Sequence, residues 1–417
     1  MSGLLPKLRF KEFSKQLNTY DLINLSENGL SNGVFNDSKK VGSGYKLINV
    51  KDMYVGEVID INNLTLLDID PSEFERNKVK YGDVFFTRSS IVPSGIAYSN
   101  VNLSYDDDIT FDGHLMKLSP RKDIVIPSFL AATFKTWTLR KKFISRGKQS
   151  TMTTIGQSDI ADIPIALPEL QEQKKVADFL TSVDTKISQL TEKYRLLKDY
   201  KKGVIQQIFS QQIRFKDDDG DVLPEWSYKK LSKITSKVGS GSTPRGGQEA
   251  YTSNGVIFIR SQNVYDNKLD LRKIVFIPQS THTKMKGSKV QKHDVLLNIT
   301  GASIGRSCVV PKKFEEGNVN QHVCIIRTNN ELDPHYLQFF LSSYLGQKII
   351  FQSQAGGGRE GLNFESIKLF KIPLPSVKEQ QKIAQFLQSL DKKIDAVNEQ
   401  IEQTKLFKKG LLQQMFV

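Results

Sequence analysis

The sequence predicts an α+β protein: two mixed α/β modules in a pseudo-twofold, circular arrangement, separated by two long antiparallel coiled-coil helices. Three observations predict it. Residues 168–209 align without a gap on 375–416, at a constant offset of 207 in a chain of 417 residues. Within each copy the apolar residues step by four and three. A fainter repeat at offset 211 lays residues 44–53 on 255–264 and 81–87 on 292–298.

The strong repeat is a duplication, because its identities are polar as well as apolar. Glu172 and Glu379, Gln173 and Gln380, Lys175 and Lys382, Asp184 and Asp391, and Lys186 and Lys393 all match, and Lys201-Lys202-Gly203 recurs as Lys408-Lys409-Gly410. Amphipathic helices share apolar spacing by chance, but not polar identities in register. The seam runs Val176, Leu180, Val183, Ile187, Leu190 in one copy and Ile383, Leu387, Leu390, Ile394, Val397 in the other, a heptad pattern. Pro168 and Pro375 open the copies and neither contains an internal proline, which predicts one helix of about 40 residues, roughly 60 Å, in each. Leu180, Val183, Ile187, Leu190, Leu387, Leu390, Ile394 and Val397 are the expected contacts of a helix pair. The alternative is that each helix packs on its own module.

Domain boundaries follow from the repeat: modules at 1–167 and 213–374, long helices at 168–212 and 375–417. Short β-branched runs bounded by Gly, Asn and Asp read as strands, and 128–143 and 333–351 read as helices late in each module. Arg214-Phe215-Lys216 repeats Arg9-Phe10-Lys11, so the chain ends are expected to meet at the counterpart of the middle junction.

Composition bounds the chemistry. Lys and Arg outnumber Asp and Glu by 59 to 45, a net charge of +14 that favours a polyanionic partner. Residues 221–372 carry 21 basic against 12 acidic residues and residues 1–166 carry 21 against 19, so the second module holds most of the excess. Two cysteines, Cys308 and Cys324, exclude a disulfide framework and a four-ligand zinc site and fit a reducing cytosol. No signal-peptide core or membrane span is visible, and the expected location is cytoplasmic.

The glycine clusters at 42–44 and 239–247 lack Walker and Rossmann spacing. No Asn/Asp-Pro-Pro-aromatic tetrapeptide occurs, Asp106-Asp107-Asp108 reads as a solvated loop, and His114 and His322 read as core or fold-supporting. Four loops combine glycine, hydroxyl, amide and arginine residues able to contact phosphates and base edges: Arg88-Ser89-Ser90; the 241–247 stretch with Thr243 and Arg245; Asn298, Thr300 and Ser303; and 356–359 with Arg359. The basic segment 140–151, with Arg146 and Lys148, is a fifth candidate, or an ordinary basic helix end.

The duplicated junctions, Leu167-Pro168 with Glu172-Gln173 and Leu374-Pro375 with Glu379-Gln380, resemble those of type I restriction–modification specificity subunits, and the resemblance covers the whole chain. Leu223-Pro-Glu-Trp226, the Gly-Ser-Thr-Pro loop at 241–244, Asp294-Val-Leu-Leu297 and Gly305 look like further family positions; the first module lacks the Trp and that loop. The resemblance implies a subunit without catalysis or cofactor of its own, each module reading one half of a split, asymmetric site on double-stranded DNA. It implies two methyltransferase subunits, which carry S-adenosylmethionine for adenine-N6 methylation, and two restriction subunits, which bring ATP and magnesium. A 60 Å helix spans about 18 base pairs, room for two major-groove contacts and an unread gap. Other classes are a standalone DNA-binding regulator and a coiled-coil scaffold. Lys186 and Lys393 mark the outer helix stripe, a docking face or a solvated one.

Overall fold

The computed structural model describes residues 5–149, 151–354 and 361–417. Two long helices run over Leu170–Phe209 and Val377–Gln414. The chain divides into unit 1, residues 1–191 with 399–417, and unit 2, residues 192–398, so each unit holds one module and a part of both long helices.

In unit 1 the module carries an antiparallel sheet in the order Ser26–Asn32, Leu115–Pro120, Val84–Thr87, Ser99–Val101, and a second sheet in which Val41–Ile48 pairs Ile109–Phe111 in parallel. Unit 2 repeats this with Thr235–Ser240, Val323–Thr328, Val295–Asn298 and Ser307–Val309, and a parallel pair of Val256–Ile259 with Gly317–Val319. The strands matched at offset 211 are therefore the central ones. Val84-Phe85-Phe86 and Val295-Leu296-Leu297 are buried throughout because successive side chains enter different cores: Val84 and Phe86 share one cluster and Phe85 another, and Leu296 separates likewise from Val295 and Leu297. The segments expected as single helices are each two, Pro127–Phe134 with Trp137–Arg146, and Pro334–Ser342 with Tyr344–Gln352. Thr136 and Ser343 break them: each side chain accepts a backbone N–H of the following turn, a capping contact that apolar spacing does not reveal.

Each module is closed by an antiparallel pairing of its first and last strands, Asn18–Asp21 with Pro164–Leu167 and Ser227–Lys230 with Lys371–Leu374. The long helix that follows is fastened by the duplicated Glu-Gln. Glu172, 3% exposed, receives Arg9 Nε and Nη2 at 2.7 and 2.6 Å; Glu379, fully buried, receives Arg214 at 2.8 and 3.1 Å and Trp226 Nε1 at 3.0 Å. Gln173 Oε1 accepts Ile126 N, and its Nε2 donates to the Ile124 and Pro168 carbonyls. Gln380 does the same with Asp333 N and the Glu331 and Pro375 carbonyls. Edge-on ring pairs accompany both clamps, Phe10 on Phe179 and Phe215 on Phe386. In unit 1 Leu8 N also donates to Gln414 O at 2.9 Å.

Within each unit the two helix segments run antiparallel. In unit 1 Val176, Ala177, Leu180 and Val183 share a core with Leu411 and Met415, and Asp184 pairs with Lys408 at 2.6 Å. In unit 2 Val204 and Ile208 share a core with Ile383, Leu387 and Leu390, and Lys201 pairs with Asp391. By duplication these are one ion pair formed twice. Burial pushes both aspartate carboxyls up, and the lysine opposite offsets part of that. Leu190, Ile394 and Val397 are buried, Ile187 is half-buried, and Lys186 and Lys393 are exposed. No helix among the described residues is long and apolar enough to cross a membrane.

Removing a carboxylate that holds a part-buried cation leaves that charge unpaired. Glu379→Ala is expected to destabilise the protein by about 3 kcal/mol or more, with Glu172→Ala, which strands no indole, costing less; urea unfolding followed by circular dichroism checks both, and a Glu379→Ala loss below about 1 kcal/mol contradicts the assignment.

Candidate nucleic-acid interface

In unit 2 two of the sequence-selected loops meet. The strand Thr235–Ser240 leads into the 241–247 loop, and Val295–Asn298 ends in the 298–303 turn. A third segment, Asn320-Gln321-His322, lies between them. Gly241 N donates to Asn320 O, and a Cβ on Gly241 would sit 1.6 Å from Val319 O, so only glycine permits this approach. The Thr243 hydroxyl donates to Gln321 Oε1, Gln321 Nε2 donates to His322 Nε2 at 3.0 Å, and His322 Nδ1 lies 2.6 Å from Thr300 Oγ1. This network assigns the histidine proton to Nδ1 and leaves the Thr300 hydroxyl hydrogen available to a ligand. Arg245 is exposed beside this chain, without an ion-pair partner among the described residues.

Asn298 belongs inside the turn rather than on its surface. It is fully buried, and its amide donates to Ser261 O at 2.9 Å and Ser303 Oγ at 3.1 Å. Ser303 is half-buried and spends a lone pair on that contact. Arg359, with the 356–359 loop, lies outside the described residues.

Unit 1 builds the same corner with different side chains. A Cβ on Gly33 would lie 1.9 Å from Phe111 O, matching Gly241. Asp112, buried, accepts His114 N at 2.7 Å and lies 2.8 Å from His114 Nδ1. The His114 and His322 carbonyls accept Arg88 N and Ile299 N, respectively. Both histidines thus support the fold through their backbone, but neither is in the core: the His114 side chain is 69% exposed and His322 is half-buried at the centre of the loop cluster.

Ser89 and Ser90 pair with Thr154 and Thr153, which pair with Lys148 and Gln149, so two more selected segments share one small sheet. Arg88 is half-buried and donates through Nη1 to Gly113 O at 3.0 Å. Arg146 holds Asp162 at 2.8 Å and Lys148 holds Asp159 at 2.8 Å, and these cations pull both carboxyls below the usual range. Exposed pairs of this kind contribute little net stability, so both cations remain recruitable by phosphate. The start of segment 140–151 does not form a basic face, because Arg140 turns inward to the Ser94, Ile96 and Ala97 carbonyls.

Asp106 and Asp108 are half exposed and hold Lys46 at 2.6 and 3.2 Å, which is a lysine clamp rather than a metal-binding acidic cluster. Both cysteines are free and buried, and burial raises their thiols, that of Cys324 to about 12, which removes them from thiolate chemistry at neutral pH. Sequence reasoning missed Gln321 and the surface position of His114 and His322. Their matched places in the two modules were the available signal.

Comparison with known proteins agrees with this architecture. The family model for the type I restriction modification DNA specificity domain matches residues 80–198 and 224–405, well over half of the chain. A Methanocaldococcus jannaschii protein, provisionally named the type I restriction enzyme MjaX specificity subunit, is 23% identical over 397 residues, 92% of this chain and 89% of that one. The Escherichia coli type I restriction enzyme EcoBI specificity subunit is 28% identical over 272 residues, 60% of this chain and 56% of its own length. The crystal structure of a type I restriction-modification S subunit from M. genitalium superposes with a TM-score of 0.59 at 14% identity, covering 99% of both chains, a likeness of fold. The chain belongs to the type I restriction modification DNA specificity domain family.

The close approach at Gly241 yields a contrast. Gly241→Ala is expected to cost about 2 kcal/mol or more, while Gly239→Ala, with nothing within 4 Å of its Cβ among the described residues, is tolerated. Thermal melting of both variants checks this, and equal melting temperatures contradict it.

Proposed function

We propose that this chain is the DNA-reading, non-catalytic subunit of a type I restriction–modification enzyme, acting in the cytoplasm. The observation that carries the reading is the polar loop corner built at the same place in both modules on different side chains. Repeated scaffolds with diverged surfaces suit two half-sites of unlike sequence. Family membership and the net charge of +14 support it.

In this reading, residues 1–167 and 213–374 are the reading modules, and 168–212 and 375–417 are the spacer that sets the gap. Arg88, Ser89, Ser90, His114, Arg146 and Lys148 contact one half-site; Thr243, Arg245, Thr300, Gln321 and His322 contact the other, with Arg359 a further candidate. Asn298 and Ser303 hold the turn. Hydroxyls and lysines serve phosphates, and the exposed arginines and Gln321 serve base edges. Partner subunits, two for methylation and two for restriction, supply S-adenosylmethionine, ATP and magnesium. Lys186 and Lys393 lie on the stripe proposed for docking them.

Methylation mapping of DNA from a host expressing this chain with a methyltransferase subunit is expected to give a split, asymmetric motif with N6-methyladenine, absent without this chain. No difference despite a stable complex overturns the reading. In the assembled methyltransferase, Arg245→Ala is expected to weaken target binding about tenfold. If Arg245 reads a base, the loss is confined to one half-site position. If it contacts phosphate, the loss is uniform and the salt dependence falls by about one ion.

A further inference from the structure

The ion pair that recurs in the two units has unlike surroundings. In unit 2 neutral groups adjoin it: Asn267 Nδ2 donates to Asp391 at 3.4 Å, and Gln338 Nε2 donates to Asn267 and to Ser342 Oγ, while Gln347 on the next helix donates to the Gly305 and Leu341 carbonyls. At the duplication offset of 207, Ala131, Lys135 and Arg140 of unit 1 stand where Gln338, Ser342 and Gln347 stand in unit 2. The amide of Gln338 gives way to alanine, and cations stand in place of Ser342 and Gln347.

What remains in unit 1 is an open cavity of about 490 Å³ lined by Lys135, Arg140, Lys405, Lys408 and Lys409, with Glu57 the one carboxylate in its wall among the described residues. Ile187 and Leu412 supply apolar wall, and Tyr98, packed on Tyr54 at 4.7 Å, an aromatic one. The charges do not cancel locally. Glu57 is held by Lys135 at 3.0 Å and Lys408 at 2.7 Å, Asp184 is held by Lys408 at 2.6 Å, and Lys405 pairs along its helix with Glu402 at 3.0 Å. Five cations face these three carboxylates, a surplus of two, and Lys409 is exposed without a carboxylate of its own among the described residues.

Ser99 provides an independent observation. It lines the same cavity, is 2% exposed, and its hydroxyl oxygen has no hydrogen-bond partner among the described residues. A buried hydroxyl normally has a partner. In unit 2 the matching Ser307 hydroxyl lies 3.4 Å from that of Ser342, the place taken by Lys135 in unit 1.

We propose that this cavity is a binding site for a phosphate group, carried by a small phosphate ester. The surplus of two positive charges matches a phosphate monoester dianion. Lys405 and Lys409 meet its oxygens at the mouth, Ser99 donates from the wall, and Tyr98 with the apolar residues takes the ester's body. The volume is that of a small-molecule pocket.

Calorimetric titration of the full chain with adenosine 5′-monophosphate, at fixed ionic strength, is expected to show saturable binding. The double variant Lys405→Gln, Lys409→Gln changes only exposed side chains and is expected to weaken it about tenfold or more. Ser99→Ala is expected to weaken it as well while leaving the melting temperature of the free protein unchanged or raised, since it removes an unpartnered polar group. DNA also presents phosphate oxygens, but as monoanionic diesters, so a short duplex is added as competitor: persistence of the nucleotide supports a site for a free monoester, and displacement overturns it in favour of a backbone phosphate. Absence of saturable binding up to about 10 mM, or unchanged affinity in either variant, overturns the proposal.

Discussion

Glutamate and glutamine, adjacent at the head of each long helix, hold together segments far apart in sequence. A buried carboxylate requires a cation, and a buried amide requires both its donors and its acceptor to be met. Glu172 therefore draws in Arg9, and Gln173 spans three backbone groups of the preceding module. Glu379 and Gln380 repeat this with Arg214 and the 331–333 turn, and Trp226 adds a third donor. These bonds fix the direction in which each helix leaves its module. The apolar seam favours antiparallel packing along the helix but leaves the angle to the sheet free, and the clamp removes that freedom.

The helices were legible because their signal is local and redundant: heptad spacing, no internal proline and a register of polar identities. Central strands such as Val84–Thr87 could be matched to Val295–Asn298 for a related reason, since a strand buried on both faces carries a continuous apolar run, here three residues long in each. The helix breaks at Thr136 and Ser343 were not legible, because apolar residues continue across them and the cap bond is a matter of side-chain orientation. The meaning of Glu-Gln was hidden as well; the repeat marked the pair, but its partners lie up to 165 positions away.

For the loops, residue type picked out segments that meet in the structure, but not which of their side chains are exposed. Thr243 and Thr300 carry hydroxyls in glycine-containing turns, whereas the Gln321-His322 link that joins them has no local signature. Asn298 and Arg140 share the composition of surface contacts and are spent inside, one on a turn and the other on three carbonyls. Burial of a polar side chain depends on which backbone groups lack partners nearby, and that is decided by tertiary structure.

The strand pairs that close the modules have an evolutionary consequence. Asn18–Asp21 lies beside Pro164–Leu167, and Ser227–Lys230 beside Lys371–Leu374, so each module leaves its helix-bearing frame and rejoins it at neighbouring points. Everything between behaves as a cassette with a common plug. Recombination that imports a foreign cassette with the same closing pair would leave the frame intact, and one such exchange would replace a whole reading surface without the gradual substitution of individual contacts.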